Sequence, residues 1–391
     1  MHMTEFQFVV GADVRHAIGP EWDALYARCG AVAPSMSGAA LRAFLNHRLP
    51  RDHRAVAVLA SVSGTLIGGL VLMLSADQWR LRYINAHAVG DVEAHPVDAL
   101  IDPLASPDLP EKMLAFLFAT EPRLFSVVFP RLSPTSPVLR APVGQTAYRR
   151  LERAASSGSL LHVPHEVGEL HASLSGNFRK NLRKQAVRLQ QLGEVEAQFV
   201  RAEDCTSAHI ESVFALEAAG WKGREGTAIA SNGRDLAYYR ELAAGLKASG
   251  HLEIHLLRVH DTVLAAHLAV RVGRTLTLLK IAYNEAFSAV GPGNMLLLEL
   301  LRRESASHES TIVDCITDMP WHANWRMAQR PYRSAIFYPR RLVPTTLGYG
   351  VEVTVAVLRH SLLARRLIRS AGGAYWARKL RWLSGAARHG A

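Results

Sequence analysis

With 391 residues, 49% hydrophobic and 20% charged, and no low-complexity run, the chain has the composition of a folded protein of two domains, which excludes disordered and fibrous classes. Its three cysteines, Cys29, Cys205 and Cys315, lie far apart without a CxxC pair, so neither a disulfide framework nor a thiolate zinc site is indicated, and a reducing cytosol suits the protein. The net charge of +11 is unevenly spread: from Val351 onward eight arginines and lysines stand against Glu352 alone.

The N-terminal stretch MHMTEFQFVV carries an acid at Glu5 and has neither the basic stretch nor the apolar run of a signal peptide, so a cytoplasmic location is expected. The uncharged run AVAVLASVSGTLIGGLVLML (55–74) is long enough to cross a bilayer. Ser61, Ser63, Gly64 and Thr65 divide its β-branched residues into two short runs, however, which is the pattern of a hairpin of buried strands. GTLIGGLVLML (64–74) aligns with DTVLAAHLAVR (261–271) at an offset of 197 residues, each following an alternating run and preceding a third candidate strand, so two homologous halves are expected. Pro, Ser and Gly collect over 131–175, the expected linker.

A helix is predicted to start at Ser175 and stop at Gly193. Arg179 and Arg183 share one of its faces beside a stripe of Lys180, Lys184 and Arg188, which forms either an anion groove or a solvated face. The later pattern predicts a strand over 275–283, a loop over 284–291, a helix over 292–308, a strand over 311–316, a helix over 321–329 and a strand over 334–338. Pro292 suits the first helical position, which leaves the amides of Gly293, Asn294 and Met295 free at the positive end of the helix dipole. Such a start accepts a phosphate or pyrophosphate, although Gly-Pro-Gly is also ordinary turn chemistry. The tail over 346–391 interleaves Arg and Lys with Leu, Ile and Trp, as basic amphipathic helices do that lie on an anionic membrane surface or an acidic partner, or as a solvated helix packed on its domain does.

Four stretches, NFRKNLRKQAVRL (177–189), LEAAGWKGREGTAI (216–229), KIAYNEAFSAVGPGNMLL (280–297) and VFPRLSPTSP (128–137), together resemble GNAT acyltransferases, and more closely the CelD/BcsL-type, BioF2-like acetyltransferases related to the FemABX transferases. The resemblance implies an α/β (α+β) protein of tandem GNAT-like domains, each a mixed, mostly antiparallel sheet flanked by helices. An N-terminal domain over 1–155 would not bind CoA, a C-terminal GNAT domain over 156–345 would, and the basic tail would follow. It also implies acetyl-CoA or another acyl-CoA as co-substrate, with pantetheine along Ile281, Ala282 and Tyr283 and the pyrophosphate on Gly291, Pro292, Gly293 and Asn294. The chain departs from the pattern at FSAVGPGN, where GNAT enzymes show Gln or Arg, two residues, then Gly-x-Gly or Gly-x-Ala, and at WHANW, where relatives have a Tyr-Lys pair.

Acyl transfer from a thioester to an amine needs a neutral amine, a donor to the developing oxyanion and a proton for the leaving thiolate. The fold implies a backbone N–H near Ala282 or Tyr283 as oxyanion donor. Candidate bases are Glu217 beside a Gly-rich loop, Asp314 and His267; each also reads as a structural residue, a surface acid, an ion-paired acid and a core histidine respectively. Trp221 and Lys222 are candidate acceptor-binding residues, as is Lys280, which faces the opposite side of its strand from Tyr283. No HExxH, GxSxG or Walker A motif occurs, and no metal is expected. The resulting expectation is acyl transfer to an amine of a sugar, polysaccharide precursor or other cell-envelope metabolite, in the cytoplasm or at the inner face of the membrane. The alternatives are an aminoacyl-tRNA-dependent transferase, the one reading with a nucleic-acid partner, and a non-catalytic membrane-associated factor of polysaccharide synthesis.

Overall fold

The computed structural model describes residues 3–30, 33–76, 83–90, 96–142 and 147–354, so the basic tail lies outside the described residues from position 355 on. The chain begins with β1 (Glu5–Val10), α1 (Asp13–Ala17), α2 (Pro20–Cys29) and α3 (Gly38–His47). The uncharged run then forms a hairpin, β2 (His53–Val62) and β3 (Thr65–Ala76), and no helix among the described residues is long and apolar enough to cross a membrane. Next come β4 (Ile84–Ala88), β5 (Leu100–Ile101), α4 (Leu109–Thr120), β6 (Leu124–Leu132) and α5 (Pro137–Arg140). Where the composition reads as a linker, two strands form: β7 (Tyr148–Ala154) and β8 (Gly158–His162). Neither YRRLERA nor GSLLH alternates apolar with polar residues, and each is a strand through its partners, β7 through residues 333–339 and β8 through residues 312–314 and 328–330, which lie far along the chain.

The second half comprises α6 (Val167–Ser173), α7 (Gly176–Gln190), β9 (Val195–Arg201), α8 (Ser207–Ala219), α9 (Trp221–Arg224) and α10 (Gly233–Ala248). The Ser175 hydroxyl caps α7 by accepting from the Phe178 amide, as the sequence predicts. A second hairpin, β10 (Leu252–Val259) and β11 (Thr262–Val272), leads into β12 (Thr275–Tyr283), α11 (Pro292–Ser307), β13 (Ile312–Asp314), β14 (Ala328–Arg330) and β15 (Arg333–Pro339). The helix expected over 321–329 is instead a 3₁₀ turn at Pro320–Trp325 followed by β14. Arg326 takes a left-handed conformation (φ 52°) that ends the turn, and Gln329 pairs with Ser159 of β8.

Two mixed sheets result, with helices on their faces. The first runs β1-β2-β3-β4-β6-β15-β7, with β5 on β3, and the second runs β14-β8-β13-β12-β11-β10-β9. In both, the central pair is parallel, β4 with β6 and β12 with β13, and the other pairs are antiparallel. The repeat in the sequence reappears in register. Ala60 pairs with Gly68 and Ser61 with Leu66, while Leu257 pairs with Ala265 and Arg258 with Val263. The extra residue of each bulge, Ile67 and Leu264, therefore occupies the same place in the two halves.

Beyond the parallel pair, the first sheet is completed by β15 and β7, and the second by β8 and β14. Chain segments thus cross between the sheets twice, β7 to β8 and β14 to β15. The second sheet is buried on both faces: Ile254, Leu256, Ala266 and Leu268 pack toward α8 and α10, and Leu257, Ala265, Ala269 and Leu278 toward α7 and α11. The former core is continuous with that of the first half, and Arg48 at the end of α3 binds Asp235 of α10 at 2.9 Å while covering the Tyr238 ring at 4.0 Å.

Candidate functional site

The two parallel pairs differ in length. β4 pairs with β6 from Ile84 to His87, almost its full extent, whereas β12 pairs with β13 only from Thr275 to Thr277. Residues 278–283 of β12 run past the end of β13, and the sheet opens there into a wedge with one unpaired strand edge. Leu268 pairs with Lys280 and Ala269 with Leu278, so Leu279 is a bulge at the mouth of the wedge. Ile281 and Tyr283, opposite His267 and Ala265, share the α7–α11 side and stand 38% and 42% exposed. Lys280 faces the other way, its ammonium 4.7 Å from the Tyr239 ring centre, so the wedge does not collect all the residues singled out on this strand.

α11 starts just above this edge. Gly291 is left-handed (φ 56°) and supplies no side-chain cap, and a Cβ on it would meet the Gln185 amide of α7 at 2.3 Å. The Asn294 side chain is held by Gln185 and by Trp325 Nε1, at 3.3 Å each, so it is the main chain of Asn294 that remains for a ligand. A Cβ on Gly293 would meet nothing within 4 Å, so the first turn of α11 opens on space. The WHANW stretch takes part here: Trp325 is fully buried and packs edge-on against Phe178, fastening the helix start to α7. Arg183, Lys184 and Arg188 on α7 are exposed, and Arg188 reaches the Ala289 carbonyl in the loop before α11 at 3.4 Å.

On the other face, α8 and α9 are hooked to the same loop, since Glu285 accepts from the Trp221 amide and from Arg224, each at 2.7 Å. Trp221 is left 46% exposed. Glu217 is buried with both oxygens engaged, by the Lys222 ammonium at 2.6 Å and the Ile229 amide at 2.9 Å, and Lys222 is thereby turned to it. Asp314 is buried at the end of β13, accepting from the Ile316 amide and Arg330, both at 2.8 Å. Burial raises its carboxyl above the ordinary range, against the pull of Arg330 and Arg131. Ile316, the next residue but one, is a left-handed β-branched residue (φ 62°) whose carbonyl accepts from Arg131 of β6.

His267 is buried beside Ile281, and its Nδ1 lies 3.4 Å from His255 Nδ1. Behind it runs a charged network that reading the sequence missed: Glu253 with His255, Arg271 and Arg303, and Arg271 with Glu304. Its signal is period two: Glu253 and His255, then His267 and Arg271, are polar residues on one face of two otherwise apolar strands. The structure therefore does not gather the three candidate bases, as Glu217 and His267 lie on opposite faces of the second sheet. Among the described residues no group of three or more His, Cys, Asp or Glu side chains is placed to hold a metal ion.

Residues 176–317, from α7 past β13, match the family model described as Acetyltransferase (GNAT) domain. No curated protein matches the sequence significantly. Solved structures with similar folds include FemX (11% identity, 71% of this chain and 87% of that one, TM-score 0.48). Others are the C-terminal domain of a putative lysylphosphatidylglycerol synthetase from Agrobacterium fabrum (12%, 82% and 92%, 0.49) and a tandem GNAT protein from the clavulanic acid biosynthesis pathway (13%, 86% and 99%, 0.44).

Proposed function

We propose that the protein is an acyl-CoA-dependent N-acyltransferase whose donor site is the wedge beside β12. The observation that carries this reading is that the matched GNAT domain, residues 176–317, contains the wedge, the bulge and the open helix start together. The residues present fit the co-substrate. The unpaired edge at Ile281, Ala282 and Tyr283 offers main-chain groups to an amide-bearing pantetheine arm, and the first-turn amides of Gly293 and Asn294 offer donors to a pyrophosphate. When bound, an acyl-CoA supplies a thioester carbon for attack by an amine. The chain's own part is to present an edge N–H to the developing oxyanion, to exclude water with Tyr283 and Trp221, and to hold a proton acceptor. In the first sheet β4 is paired with β6 along nearly its whole length and leaves no such edge, which supports a single donor site.

For the acceptor, the exposed Trp221 offers a stacking surface suited to a sugar ring, in keeping with the amino-sugar or envelope-precursor substrates of CelD/BcsL-type enzymes. Calorimetry with acetyl-CoA tests the donor assignment. Binding by the wild type, lost in Gly293→Glu, is expected, because the substitution places a carboxylate in the open space at the helix start; no binding of acetyl-CoA or longer acyl-CoAs by the wild type overturns it. The exposed Arg183, Lys184 and Arg188 beside the same helix start favour one other reading, a donor carried on tRNA. Retention on RNA with a steep salt dependence, in a protein that ignores acyl-CoA, would select that reading.

A further inference from the structure

Beyond β15 the chain forms α12 (342–354), of which Pro344–Gly350 is π-helical. Its inner face recurs every fourth residue, with Pro344, Gly348 and Glu352 buried against the first sheet. A Cβ on Gly348 would run into the Tyr338 ring of β15, Arg341 donates to the Phe118 and Pro122 carbonyls at the end of α4, and Glu352 accepts from Arg153 of β7. The helix is thus fixed to its domain, yet its outer face is apolar: Leu342 is 80% exposed, Leu347 57% and Val351 37%. We propose that this face, together with the basic stretch that follows it, lies on an anionic lipid bilayer.

The polar side chains on the outer face are satisfied from within the helix. The Thr346 hydroxyl donates to the Leu342 carbonyl at 2.7 Å and that of Thr354 to the Gly350 carbonyl at 2.8 Å, so neither requires water when the face is covered by lipid. The charge around the face has one sign. Glu352, the one acid of α12, is turned inward and paired with Arg153, whereas Arg340 at the end of β15 is exposed. Arg149 of β7 is exposed too, and its register with Tyr338 puts it on the side of the sheet that α12 covers. Over 355–391, outside the described residues, the sequence adds seven arginines and one lysine with no aspartate or glutamate, interleaved with leucines and with Trp376 and Trp382.

Each component has a counterpart in an anionic bilayer. Cations meet the headgroup phosphates, while exposed leucines and tryptophans enter the boundary between headgroups and acyl chains. RNA would use the same cations but gain nothing from Leu342, Leu347 and Val351, and an uncharged lipid surface would leave the cations without partners. The two halves of the feature, apolar face and unopposed positive charge, therefore select anionic lipid together.

Flotation of the full-length protein with vesicles of equimolar phosphatidylglycerol and phosphatidylcholine, compared with phosphatidylcholine alone, tests the proposal. Binding to the anionic vesicles only is expected, weakened about tenfold when Leu342→Asp and Leu347→Asp are combined. Both side chains are exposed, so the double variant should keep the wild-type melting temperature, which separates lost binding from lost folding. A wild type that does not float with anionic vesicles overturns the proposal whether or not the variant folds. Binding that the double variant retains in full and that RNA displaces assigns the surface to a nucleic acid, and a vesicle-free dimer that Leu347→Asp dissociates assigns the face to a second copy; either overturns the lipid assignment. Acetyl-CoA binding is measured separately and does not enter this result, so the donor assignment and the membrane surface fail independently.

Discussion

Glu217 has no oxygen to spare. With the Lys222 ammonium on one side and the Ile229 amide on the other, its carboxylate closes the loop after α8, and Glu217→Ala leaves a half-buried lysine and a buried amide without their acceptor. A loss of about 2–4 kcal/mol in urea denaturation is expected; a loss below about 0.5 kcal/mol would show the pair to be dispensable to the fold. The histidine pair makes a pH statement of definite sign. Burial, and for His267 the neighbouring His255, holds both below their ordinary value. As pH falls through about 6.5 the unfolded chain binds protons that the folded one refuses, so stability declines by about 1.4 kcal/mol per pH unit for each histidine. Glu253, held below the usual carboxylate range, contributes stability above about pH 4.5 that is lost only as pH falls further. Urea midpoints between pH 7.5 and 5.5 check the first effect, and His267→Gln should reduce the slope by one histidine's share.

At the scale of elements, the helix start is set by Gly291. Its left-handed backbone suits glycine, and a Cβ would push the Gln185 amide away from Asn294. Gly291→Ala is expected to cost about 1–3 kcal/mol and to weaken acetyl-CoA binding severalfold, because the first turn of α11 loses its tie to α7. Unchanged affinity and melting temperature would show that the loop tolerates the substitution. Much at this scale was legible from local chemistry. The strand over 275–283 and the Pro292 helix start were readable because one alternates and the other obeys N-terminal rules. The turn at Pro320–Trp325 was not, because Trp325 is apolar for the sake of Phe178 and Asn294, contacts distant in sequence that mimic helical periodicity. The bulge at Leu279 was equally hidden. Nothing in TLTLLKIAY marks it, and it appears only through the register with β11.

The whole molecule is tied by its crossing strands. β15 lies between β6 and β7, pairing with both, although about 200 residues of chain separate it from β6 and about 180 from β7. Its Phe337 is fully buried and packs edge-on against Phe129 at 5.7 Å and Tyr148 at 5.2 Å. Arg131 of β6 reaches the other way, donating to the Ile316 carbonyl and to Ser157 while covering the Tyr332 ring at 4.1 Å. A fragment ending at 156 would leave β7 without its neighbour and open the first core along the seat of β15. A fragment beginning at 157 would carry β15 as an apolar strand with nowhere to pair, an edge prone to aggregation. Each fragment alone is expected to be unfolded or aggregated, whereas the two coexpressed should copurify in equal amounts. In the intact chain, Phe337→Ala should cost about 3–5 kcal/mol and lower a single melting transition that takes both halves down together. Two separated transitions, with only one moved by Phe337→Ala, or a monodisperse, cooperatively melting fragment of either half, would show that the halves fold independently despite the exchange.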